Sequence, residues 1–168
     1  MALRRILTEG DRQLRKNSRE VTAFNERLHV LLDDMLETLH DADGVGLAAP
    51  QVGILRRAVI VLEFPAEEED AEIVYELINP EIIERDGSQY GVEGCLSIPG
   101  YCGYVERPMH VKVKALDRNG NPLIVEGEGL TARALCHEID HLDGILYRDK
   151  ADKMYTNEEY EKLESEKN

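Results

Sequence analysis

From Phe24 the apolar positions fall at Phe24, Leu28, Leu31, Leu32, Met35, Leu36 and Leu39, the spacing of one stripe on a helix. Thr22 stands where an N-cap is expected, and the glycine of Asp41-Ala-Asp-Gly44 ends the pattern. Such a helix packs against a core. The periodicity then changes. Residues 44–53 are small, apolar and glycine-rich, which lets another group approach the backbone closely. Strands are predicted over 58–62, 73–79, 81–85 and 104–106, with 63–72 an exposed acidic loop between the first two. His110-Val-Lys-Val-Lys-Ala-Leu alternates with period two, as a half-buried strand does, and Asp117-Arg-Asn-Gly120 turns it back to a partner at 123–126. A second helix is predicted from Leu130 to about Leu142, with Leu135, Ile139 and Leu142 on its apolar face and Gly144 as its stop. Residues 1–22 show few pattern signals, and the segment from Asp149 reads as a short terminal helix or a frayed end. With no repeat and no linker, the order helix, strands, helix predicts an α+β domain over residues 1–168. Its antiparallel or mixed strands are expected around the second helix.

Composition narrows the function. The formal charge of −14 disfavours nucleic-acid phosphates, because like charges repel and no counterions are released. Three cysteines, Cys95, Cys102 and Cys136, with no apolar run of signal-peptide or membrane-span length, argue against a disulfide framework. The expected setting is a reducing cytoplasm, where a cysteine serves more often as ligand or catalyst than as a bridge.

The candidate chemistry lies in His137-Glu138-Ile139-Asp140-His141. Residues four apart share a helix face, so both imidazoles can reach one metal ion, and the glutamate beside the first is placed to act as general base. Three sources of a third ligand arise. The metzincin pattern fails, because Tyr147 occupies its histidine position. A thermolysin-like protease would use Glu158 or Glu159, but both sit in a charged, weakly apolar segment that reads as solvated. Cys95, in Glu93-Gly-Cys-Leu-Ser97, is the better candidate: a thiolate suits a borderline ion, and three protein ligands leave a fourth position open. A metal-binding or peptide-binding module without catalysis is a further alternative. Glu138 and Gln51 count against it, since a pure binder needs neither.

Three segments in order, Gly44-Val-Gly-Leu-Ala-Ala-Pro-Gln51, Glu93-Gly-Cys-Leu-Ser97 and His137-Glu-Ile-Asp-His-Leu-Asp-Gly144, resemble the signature of peptide deformylases. The resemblance runs from about residue 3 to residue 148. It implies a metal-dependent hydrolase that removes the N-formyl group from the N-terminal methionine of new polypeptides and releases formate. Cys95, His137 and His141 would hold one divalent ion, Fe²⁺ in the cell, with Zn²⁺ or Ni²⁺ able to occupy the site. Glu138 would be the base that later protonates the leaving amine. Gln51 and the Leu96 backbone N–H would stabilise the formyl oxygen. The methionine side chain would enter a pocket at Val45, Gly91, Glu93, Leu130, Arg133, Ala134 and His137, with Gly91 replacing a larger apolar residue of some relatives. The peptide backbone would pair in extended form near Val45-Gly46 and the Gly91–Gly94 stretch. Cys136 is expected to face away from the metal, and Cys102 stands where some relatives carry arginine. From Asp149 the tail has seven acidic and four basic residues, so it lacks the basic helix with which some relatives dock on ribosomal RNA. The expected partners are formyl-methionyl nascent peptides. No direct nucleic-acid or membrane contact is expected, and proximity to the ribosome is left open.

Overall fold

A computed structural model describes residues 2–68 and 70–167. Met1, Glu69 and Asn168 lie outside the described residues, so the expectations for the N-terminus, the acidic loop and the tail are followed on their other positions.

The first helix, α1, spans Glu26–Asp41 and buries Leu28, Leu31, Leu32, Met35 and Leu39, as its stripe requires. Its cap is Asn25 rather than Thr22: the Asn25 side chain accepts the Leu28 N–H at 3.2 Å. Asparagine caps as well as threonine does, and it sits directly before the first helical turn.

Five strands form one antiparallel sheet in the order β1 (Gly46–Ala48), β2 (Ala58–Glu63), β3 (Ile73–Asp86), β6 (His110–Leu116), β7 (Pro122–Glu128). β2 explains the architecture. All of Ala58–Leu62 is buried, and the two faces go to different partners. Ala58, Ile60 and Leu62 join the α1 stripe in one cluster, while Val59 and Val61 join Leu135, Ile139 and Leu142 of α2 (Leu130–Leu142) in another. A strand covered on both faces reads as a continuous apolar run, and each such side chain contributes about 1.5–3 kcal/mol when fully buried. β6 shows the half-buried case: Val111, Val113 and Ala115 face α2, while Lys112 and Lys114 point outward.

The two strands expected over 73–79 and 81–85 are one, β3, with a register shift between Ile78 and Glu81. Pro80 has no N–H to give the ladder, and Asn79 takes a positive φ of 52° there, its side chain bonding both the N–H and the C=O of Val21. A second sheet, β4 (Gln89–Cys95), β5 (Ile98–Arg107) and β8 (Lys153–Thr156), was largely missed, with only 104–106 of β5 expected. Its sequence mixes glycines, tyrosines and charges and offers no run of alternation. The tail forms a helix, α3 (Asn157–Glu166). α2 ends as predicted, with Gly144 at φ 73°, where a Cβ would meet the Arg15 carbonyl oxygen at 2.5 Å. No helix among the described residues is long and apolar enough to cross a membrane.

Candidate metal centre and active site

α2 sets His137 and His141 one turn apart on the face turned toward the second sheet, with ring centroids 5.0 Å apart. Cys95 ends β4, immediately before the turn that leads into β5. Its sulfur lies 3.5 Å from His141 Nε2, and one ligand atom from each of the three residues lies within 4.8 Å of the others. A thiolate and two imidazoles form a donor set suited to a borderline divalent ion. Two buried polar atoms beside them, Glu138 Oε1 and His141 Nδ1, have no hydrogen-bond partner among the described residues. Buried polar atoms in native interiors are normally satisfied, so the orphaned Glu138 Oε1 fits a site that takes up an ion and water, while His141 Nδ1 is the ring nitrogen turned away from Cys95. The electrostatics agree. Burial opposes charge on His137, but the Glu138 carboxylate and its other acidic neighbours outweigh it and raise its pKa well above the ordinary value. Burial, followed by the neighbouring His137, lowers the His141 pKa well below its ordinary value.

The orientation of His137 comes from Glu93. His137 Nδ1 donates to Glu93 Oε1 at 2.8 Å, which leaves Nε2 free of that bond, 4.0 Å from Glu138 Oε2. The same carboxylate accepts two bonds from Arg107, at 2.8 and 2.9 Å, and one from Arg133 at 2.7 Å. Arg107 also reaches Asp140 at 2.7 Å. Burial pushes the Glu93 carboxyl up, but the bonds from Arg107 and His137 win and hold it at about 2. Tyr147 stacks behind His137, with centroids 5.9 Å apart.

Gln51 is fixed by the chain before it. Its Oε1 accepts the Ala48 N–H at 2.9 Å, so its Nε2 must face the other way, donating to Ser97 Oγ at 3.0 Å and lying 3.6 Å from Cys95 Sγ. Glu138 lies so close to β1 that a Cβ on Gly46 would come within 2.5 Å of Glu138 Oε2. Only glycine fits there. Burial raises the Glu138 carboxyl to about 7, against the opposing pull of His137.

A groove of about 430 Å³ opens beside these groups, with His141, Arg107 and Tyr147 behind its lining. It brings together Gln51, Cys95, Leu96, His137 and Glu138 with Val45, Gly46, Glu93, Gly94, Leu130, Arg133 and Ala134. Gly91 is not on its surface. The Arg133 guanidinium covers Gly91, with Nη2 3.1 Å from where a Cβ would stand. Cys102 does line the groove, whereas Cys136 packs in the core with Leu135 and Ile139. Glu158 and Glu159 are exposed in the first turn of α3 and outside the ligand cluster. Arg107, Asp140 and Tyr147 were not singled out in the sequence as parts of the site. Tyr147 showed only as an absent histidine, and charged residues far apart in sequence carry no spacing signal.

The protein family described as Polypeptide deformylase matches residues 3–157. The peptide deformylase of Alkaliphilus metalliredigens is 57% identical over 150 residues, covering 89% of this chain and 97% of that protein. That of Acetivibrio thermocellus is 51% identical over 167 residues, covering 99% and 94%. The crystal structure of a peptide deformylase from Legionella pneumophila superposes with a TM-score of 0.81 at 39% identity, covering 99% of this chain and 98% of that one.

Proposed function

The chain belongs to the polypeptide deformylase family, a metal-dependent hydrolase that removes the N-formyl group from nascent proteins, and on that premise we propose how its residues divide the work. Cys95, His137 and His141 hold one divalent ion. Fe²⁺ in the cell follows from the family resemblance, and the donor set accepts Zn²⁺ or Ni²⁺ as well. The carrying observation is the unpartnered Glu138 Oε1, buried beside three clustered donor atoms, of which those of Cys95 and His137 belong to residues that line the groove. When bound, the ion supplies Lewis acidity, making water acidic enough to attack near neutral pH and polarising the formyl carbonyl. Glu138 takes the proton that the attacking water loses and passes it to the leaving amine. The Gln51 amide and the Leu96 N–H donate to the formyl oxygen as negative charge builds there. Glu93 is a positioning residue, acting through His137.

The peptide lies extended between β1 and β4, both of which are edge strands of their sheets and so offer unpaired backbone groups. The methionine side chain enters beside Val45, Leu130 and Ala134. The guanidinium of Arg133 is engaged by Glu93 and by the carbonyls of Gly91 and Val105, so its methylene stem serves as an apolar wall. Arg133 thus fills the room that Gly91 leaves. Residues 1–168 form one such domain, working in a bacterial cytoplasm where formyl-methionine starts chains. The acidic tail offers ribosomal RNA no docking charge.

Protein prepared without oxygen is expected to release formate from formyl-Met-Ala-Ser and to carry one equivalent of ion. Cys95→Ala should lose both the ion and the turnover. No formate from metal-loaded wild type would overturn the assignment, and full metal occupancy in Cys95→Ala would overturn the ligand set. Gln51→Ala, measured with metal bound, should lose on the order of 10²-fold in kcat, the cost of one oxyanion donor. Near-full turnover would remove Gln51 from that role.

A further inference from the structure

One residue of the groove lining comes from a segment that lies after α2. β8 pairs with β5 in the register Tyr101↔Thr156, Cys102↔Tyr155, Gly103↔Met154 and Tyr104↔Lys153. A strand in that register carries its next residue, Asn157, past Tyr101 toward Gly100. Asn157 lines the groove beside Gly100, Tyr101 and Cys102, and among the described residues it is the one lining residue from beyond Glu138.

This arm is held from both sides. Gly103 leaves the space that Met154 fills: a Cβ there would come within 2.5 Å of Met154 Sδ and 2.8 Å of the Lys153 carbonyl oxygen. Tyr160 of α3 meets Tyr104 edge-on, with centroids 6.3 Å apart. Thr156 and Glu159 cap each other's backbone N–H, at 3.1 and 3.3 Å. The backbone of Asn157 is thereby fixed, while its side chain is exposed and makes no hydrogen bond among the described residues. A carboxamide in this state presents both a donor and an acceptor to whatever enters.

The direction of the groove says what that is. Its reacting end is at Gly46, against Glu138. Val45, Gly44 and the exposed Asp43 continue the lining away from that end. A peptide extended along this edge carries the residues after its formyl-methionine toward the mouth. We propose that Asn157 binds the nascent peptide downstream of the formyl-methionine, its carboxamide hydrogen-bonding the third residue, so that the β8–α3 arm is a specificity element. This rests on the deformylase reading.

Steady-state kinetics on formyl-Met-Ala-Ser and formyl-Met-Ala, with metal-loaded wild type, Asn157→Ala and Asn157→Asp, test it. Asn157→Ala is expected to raise KM for the tripeptide about three- to tenfold, the size of one neutral hydrogen bond, and to lower the tripeptide-to-dipeptide ratio of kcat/KM by the same factor. Asn157→Asp keeps a residue suited to a first helical turn and adds a charge. It should shift preference toward formyl-Met-Ala-Lys over formyl-Met-Ala-Glu, relative to wild type, by a similar factor. That shift reads whether position 157 faces the third residue, whereas the carboxamide's hydrogen bond is read by the tripeptide-to-dipeptide ratio. Active wild type with both ratios unchanged in the variants overturns the role of Asn157. Wild type that releases formate from none of the peptides overturns the deformylase reading, and this inference with it.

Discussion

Glu138→Ala is expected to abolish measurable formate release while the protein still binds its ion. Cys95, His137 and His141 supply all three donor atoms of the cluster, so the ion does not need the Glu138 carboxylate. The reaction does, because a proton must leave the attacking water and reach the amine. Positioned acid–base groups contribute about 10²–10⁴ in rate, so metal-loaded variant protein retaining more than a tenth of the wild-type kcat would remove Glu138 from this role. A stability measurement sharpens the case. Burial raises the Glu138 carboxyl from its ordinary 4.5 to about 7. A carboxyl raised on folding favours the fold fully below the ordinary value and loses that advantage as pH rises to the folded one. Above pH 7 the metal-free fold carries the whole cost of a buried charge whose Oε1 has no partner among the described residues. Glu138→Gln should therefore melt higher than wild type at pH 8 without metal, with the difference shrinking toward pH 4.5. Equal melting at both pH values would show that burial of this group costs the fold nothing.

The parts legible in the sequence are those that physics writes locally. The stripe of α1, the double-sided run of β2, the alternation of β6 and the four-residue step between His137 and His141 are each set by one element and the surface it meets. Cys95 was reachable through its flanking motif, though nothing local distinguishes a ligand cysteine from a small buried one. The illegible parts depend on residues that meet only after folding. Arg107 reads as one more charge at the end of a strand. Its meaning comes from Glu93 across the β4–β5 ladder and from Asp140 on α2. β4, β5 and β8 were hidden because their side chains answer to the groove, to Tyr–Tyr contacts, to close backbone approach at Gly103 and to a small separate core in which Ile98 and Val105 pack with Leu14, Leu146 and Tyr147, residues far apart in the sequence. Asn157 was invisible for the same reason, since only the register of β8 on β5 brings it to the groove.

The largest stability effect is expected at Glu93. Its carboxylate, on β4, is the shared acceptor for Arg107 on β5 and for Arg133 and His137 on α2, so one side chain ties the second sheet to α2. The Glu93 and Arg107 side chains are 4% and 3% exposed, so water cannot replace a lost partner. Glu93→Ala leaves Arg107 with Asp140 alone, Arg133 with two backbone carbonyls, and the His137 Nδ1–H with no acceptor. Breaking a buried charge network from one side typically costs about 3–5 kcal/mol. For a domain of this size, at roughly 2–4 °C per kcal/mol, the melting temperature should fall by about 6–20 °C. Asp140→Ala should cost less, because Arg107 keeps both bonds to Glu93 and Asp140 is itself partly exposed. The pH dependence has a defined sign. Glu93 is depressed from 4.5 to about 2, so its contribution is complete above pH 4.5 and is lost as pH falls toward 2. The gap between wild type and Glu93→Ala, followed by calorimetry, should narrow over that window. A gap below about 1 kcal/mol at neutral pH would mean that solvent or a rearranged Asp140 satisfies the arginines, the behaviour of a surface pair and not of a buried hub. A large loss of stability with metal affinity intact would separate the two tasks assigned to this carboxylate, leaving it as the tie between sheet and helix and placing the orientation of His137 on the stacked ring of Tyr147.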